Sequence, residues 1–152
     1  MTPEKFDELA NKITGIPYNM VEIFQQIAYE LVTDCHVDTP HELMELCIKV
    51  GLKVDVDINA NCKSTLLNKS KEYAMNGDRL WNFKYNYSFM CQDPKENLIG
   101  YMRKHLASCM DYLTRLITFE DKEKEKAFVL EKFGDVYNYC VLLYALIHED
   151  NQ

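Results

Sequence analysis

The sequence predicts an all-α protein, a four-helix-bundle core with an N-terminal helical layer, and three observations carry that prediction. Apolar residues recur at three- and four-residue spacing along most of the chain. Thr-Pro and Asp-Pro pairs stand where helices should begin, a capping side chain followed by a residue whose φ suits the first turn. From Val136 to Leu146 the chain is apolar or aromatic on nearly every side, which a helix tolerates only in the middle of a domain. A chain of 152 residues makes one domain with a core of its own. Within it, residues 1–52 read as the helical layer and 58–149 as the bundle core.

In order, Thr2-Pro3-Glu4 opens a first helix carrying Phe6, Leu9, Ala10 and Ile13, and Gly15-Ile16-Pro17 breaks it. A second helix over about 18–32 buries Met20, Val21, Phe24, Ile27, Ala28 and Leu31. Thr39-Pro40 starts a third, and Gly51 reads as its left-handed cap. Cys35, His36, His41 and Cys47 match no zinc-ligand spacing. Residues 52–58 alternate like a strand, but a lone strand has no partner, so a connector is expected. A helix over about 61–74 ends at Asn76-Gly77-Asp78, and an aromatic loop with Trp81, Phe83, Tyr85, Tyr87 and Phe89 follows. The next helix, about 94–118, places Leu98, Met102, Leu106, Met110, Leu113, Leu116 and Ile117 inside. Gly100, Arg103, Lys104, Ala107, Asp111 and Thr114 fall outside, and Tyr101, His105, Ser108 and Tyr112 lie on the border. Residues 120–126 form a solvated charged start to the last helix.

A net charge of -7 argues against a nucleic-acid partner, although a local basic patch still suits free phosphates. The six cysteines are spread singly, the pattern of reduced thiols. No apolar run is long enough for a membrane span and no targeting segment opens the chain, so a cytoplasmic protein is expected. P-loop, dinucleotide, GxSxG and HExxH motifs are absent.

Chemistry is expected where three polar groups meet. The first joins Lys71, Glu72 and Tyr73 with Asp78, Arg79, Asn82 and Phe83; the second is Lys104, His105, Ser108 and Asp111; the third is Glu131, Asp135 and Asn138. Glu131, Asp135 and Asn138 share one helical sector in an otherwise apolar segment. Buried carboxylates need a metal, a cation or water. Converging in a cleft between helices, such carboxylates would hold Mg²⁺ or Mn²⁺, with Arg79, Lys104 and His105 meeting phosphates and Tyr73, Trp81 and Phe83 stacking on a base. The bland alternative puts Glu131 and Asp135 in the first, solvated turns of the helix.

The segments KEYAMNGDRLWNF, MRKHLASCMDYL and EKFGDVYNYCVLLYAL resemble, in this order, a family of small phage and prophage proteins of mostly unassigned function, over residues 69–146. The last segment is also similar to the ELGD-type helix of the all-α nucleoside triphosphate pyrophosphatases, the MazG-like superfamily. The resemblance implies a magnesium-dependent nucleotide pyrophosphohydrolase, working in a bacterial host's cytoplasm and often as an oligomer. Glu131 and Asp135 would take the ExxxD metal role, with Glu72 as the facing carboxylate. The superfamily's usual ExxE pair is missing, so Asp78 would supply a ligand or orient water beside His105. Tyr73, Arg79, Asn82, Phe83, Lys104, Ser108 and Asn138 would bind the substrate. Two alternatives are a non-catalytic nucleotide sponge of anti-defence type and an interaction protein in which Arg79 and Lys104 pair with Asp135 and Glu131.

Overall fold

The computed structural model describes residues 2, 4, 20–62, 80 and 93–150, and the fold they form is all-α. Its helices are α1 (Met20–Thr33), α2 (Thr39–Lys53), α3 (Pro94–Leu113) and α4 (Lys122–Asp150), with helical backbone also at 58–62. Helix α4 packs on α2 and α3, and α1 packs on the same two helices, so the contacts close into a ring around one core. The helices α1 and α2 of the expected N-terminal layer therefore pack directly on those of the C-terminal half. Among the described residues no helix is long and apolar enough to cross a membrane.

The all-round apolar segment of α4 is the reason the ring closes. Val136, Tyr137 and every residue from Cys140 to Ile147 are buried, with α2 on one side and α3 on another. Phe133 meets Phe24 of α1 edge-on at 5.8 Å and Tyr112 of α3 at 5.7 Å. Such edge-to-face pairs add about 0.5–1.5 kcal/mol each beyond the area they bury. The Tyr137 hydroxyl, inside the core, donates to Asn59 Oδ1 at 2.8 Å and pins the helical segment at 58–62 to α4.

Helix starts follow the sequence reading in part. Asp93 caps α3, its carboxylate accepting from the Lys95 N–H at 2.9 Å ahead of Pro94. Asp38 rather than Thr39 precedes α2, and the Thr39 hydroxyl instead accepts from the His36 N–H at 3.0 Å, closing the turn before the helix.

Helix ends differ more. Gly51 is not the left-handed cap of α2, because the helix runs on to Lys53 and Asp55 takes the positive φ of 63°. A Cβ at Gly51 would lie 2.7 Å from the Val56 carbonyl oxygen and 2.8 Å from Ile58 Cδ1. Its smallness thus lets the chain fold back, and residues 54–57 form a turn and connector rather than a strand. At this end the Val56 N–H bonds to the Gly51 carbonyl and the Asp55 N–H to the Leu52 carbonyl, a Schellman arrangement. Helix α3 ends the same way, Leu116 to Asp111 and Arg115 to Tyr112, with Arg115 at φ 65°. Stopping at Leu113 rather than near 118 leaves Leu116 78% exposed, whereas Cys109 and Tyr112 complete the buried face. Val21, expected inside, is partly exposed.

Candidate functional site

Two of the three expected polar groups meet on the seam between α3 and α4. The period that buries Met102, Leu106 and Cys109 sets Tyr101, His105 and Ser108 along one edge of α3, where they were expected. On α4, Asp135 and Tyr139 meet that edge, and Lys132 and Asn138 lie within a turn of Asp135. His105 Nδ1 stands 3.4 Å from Asp135 Oδ2, both side chains half-buried. At this separation the contact is longer than a well-formed charge-assisted hydrogen bond, and Nδ1 is otherwise buried.

A pair of tyrosines lies against the histidine. Tyr139 lies 5.5 Å from the His105 ring and parallel to Tyr101, 6.4 Å between centroids with a 3° interplanar angle. Beneath, Cys109 faces Asp135 and Lys132, and burial, reinforced by the Asp135 charge, pushes its thiol well above its usual range. One turn on from Asp135, Asn138 holds a buried Oδ1 with no hydrogen-bond partner among the described residues. An unsatisfied buried acceptor costs about 1–3 kcal/mol, so this oxygen favours any donor brought into the seam.

The other expected residues fare differently. Glu131 is exposed, with its carboxylate 3.5 Å from the neighbouring Lys132, solvated as the bland alternative has it but well inside a helix that starts at Lys122, whereas Asp135 is half-buried. Lys104 is exposed and pairs with neither Glu131 nor Asp135 among the described residues, and Ser108 donates back to the Lys104 carbonyl at 3.3 Å. Glu72, Tyr73, Asp78, Arg79, Asn82 and Phe83 lie outside the described residues. Sequence reasoning missed Tyr139 and Lys132, although Tyr139 stands four residues after Asp135 and shares its face.

The Mg²⁺ site implied by the resemblance needs several hard oxygen ligands. Here Asp135 faces His105 and Glu131 turns to Lys132, and no group of three metal-ligating side chains forms among the described residues. Those residues alone do not fit the ion. What they build is a carboxylate–imidazole dyad in a half-buried aromatic seam, open at Tyr101, which is 49% exposed.

No family model, no curated protein and no solved structure matches the chain. The class that fold and site define is therefore an all-α helical protein with an Asp–His dyad in an interhelical seam.

Proposed function

We propose that the α3/α4 seam binds a nucleotide or nucleotide-derived small molecule and hydrolyses a phosphate ester or anhydride in it. The observation that carries this reading is the Asp135–His105 pair set beside the stacked Tyr101 and Tyr139. Asp135 holds Nδ1 as the protonated nitrogen, which leaves Nε2 as the base. Nε2 takes a proton from water as the water oxygen bonds to phosphorus. The P–O bond breaks with its electron pair on the leaving oxygen, that of phosphate or pyrophosphate from an anhydride or of the sugar from an ester, which the imidazolium can protonate. The tyrosine faces supply stacking surface for a base, and the Asn138 Oδ1 accepts from a base or sugar donor. Lys104, at the exposed edge one residue before His105, supplies charge toward the phosphates.

The exposure of Glu131 favours one second reading, capture of the same ligand without cleavage, since the carboxylate expected to complete a metal centre faces water. Thermal melting against nucleoside triphosphates, diphosphates and cyclic nucleotides, with Mg²⁺, Mn²⁺ or EDTA, followed by product analysis, decides between the two. A shift with released phosphate or pyrophosphate, lost in His105→Gln, supports hydrolysis. A shift with the ligand recovered intact supports capture. Unchanged melting across the panel refutes both.

A further inference from the structure

At the end of the bundle where α1 and α4 begin and α2 and α3 stop, a cavity of about 560 Å³ opens to the surface. That volume lies inside the roughly 300–1,000 Å³ of small-molecule sites. Its wall is apolar, formed by Met20, Val50, Val54, Tyr112 and Leu113. Its rim is basic. Lys53 and Arg115 line it opposite Glu125, and an adjoining cleft of about 270 Å³ adds Lys122, Lys126 and Asp55. Lys126 leans on Glu123 at 3.9 Å, whereas Lys53, Arg115 and Lys122 have no carboxylate within ion-pair distance among the described residues. Unpaired cations gathered on one end of a chain of net charge -7 form a local field opposite in sign to the whole.

Helix dipoles do not create this field. Two N-termini and two C-termini meet here, so their partial charges largely cancel, and the side chains decide the sign. Arg115 is held there at a backbone cost. It occupies the left-handed position that ends α3, where glycine is at ease, and in doing so stands over the cavity mouth.

We propose that this cavity binds a small amphipathic anion, with its carboxylate or phosphate headgroup against Lys53, Arg115 and Lys122 and its hydrocarbon or aromatic body against the Val50, Val54 and Leu113 wall. Among the described residues four cations, Lys53, Arg115, Lys122 and Lys126, stand against two carboxylates, Glu125 and Asp55, so the lining is positive on balance. The site lies at the α4 N-terminus, apart from the Asp135 seam further along the helix, and does not depend on how that seam is read.

The test is calorimetric titration of the full chain with decanoate and decyl phosphate, with decanol, inorganic phosphate and phosphatidylglycerol vesicles as the comparison arms. Both amphipathic anions should bind, and decanol and inorganic phosphate at least about tenfold more weakly, because each keeps half of the recognition. Arg115→Gly removes the cation while relieving the backbone, so it should weaken decanoate about five- to tenfold and melt at or above the parent temperature. Glu125→Gln should tighten decanoate by several-fold, a gain that misfolding cannot imitate. Unchanged affinity in both variants, equal binding of inorganic phosphate, or binding to vesicles alone would overturn the proposal.

Discussion

Raising the pH from 7 to 10 should remove about 4 kcal/mol of stability through three buried thiols, with Cys35, Tyr112, Tyr137 and Tyr144 acting in the same direction. Cys47, Cys109 and Cys140 are each 0% exposed, on α2, α3 and α4, and lie near one another in the core. Burial pushes all three well above the ordinary thiol value of 9.0, and the neighbouring thiols, or Asp135 for Cys109, push the same way. A raised value in the fold means that the native state keeps a proton that the unfolded chain releases. The stabilisation is whole below 9.0 and is lost as pH climbs from there toward the raised values. Each group then costs about 1.4 kcal/mol per pH unit, so one unit above 9.0 the three together cost about 4 kcal/mol. At this chain length that corresponds to a melting temperature lower by about 8–16 °C. Urea denaturation followed by circular dichroism from pH 7 to 10.5, under reducing conditions, measures it. Removing Cys140 as Cys140→Ala should flatten the alkaline slope by about one third at unchanged m-value. A midpoint constant to pH 10, or a slope unaltered in a Cys47→Ala/Cys140→Ala variant, would refute the reasoning.

Three further outcomes follow from the packing. Gly134→Ala normally gains about 1 kcal/mol of helix propensity, but its Cβ would meet Cys62 Sγ at 2.8 Å, and overpacking costs about 1–3 kcal/mol. A net loss in urea melts, recovered by adding Cys62→Ala, is expected. Arg115→Gly should raise stability by about 1 kcal/mol and Asp55→Gly by less, since aspartate tolerates the left-handed region better than arginine. Thermal melting of the two variants gives the order. Tyr137→Phe strips Asn59 Oδ1 of its 2.8 Å donor and should cost about 1–2 kcal/mol in the same assay.

How much of the site was legible depends on which residues share an element. Of the border expected on α3, Tyr101, His105 and Ser108 followed from period, because one helix fixes the angular relation of its own side chains, whereas Tyr112 turned into the core. The partner of Asp135 did not follow from period. The sequence offered Arg79 and Lys104 as its cations and His105 for phosphates, and only the docking of α3 on α4 brings the imidazole to 3.4 Å while leaving Lys104 in water. The fate of Glu131 turned on a similar detail: it shares a sector with Asp135, yet one turn nearer the end of α4 the sector has left the seam and faces solvent.

By itself the sequence determined the all-α class, the central place of the segment from Val136 onward, and the Asp93-Pro94 start of α3. Each rests on interactions within a few residues: spacing, capping and backbone preference. Tertiary structure decided where α2 and α3 stop, which cations line the end cavity and which carboxylate faces the histidine. Gly51 is the clearest case. Its sequence context reads as a cap, but close packing by Val56 and Ile58 keeps it in the helix and moves the left-handed turn to Asp55. Local rules set what a segment can form, and contacts between segments distant along the chain choose among those forms, because only the packed core puts an energy on their shape.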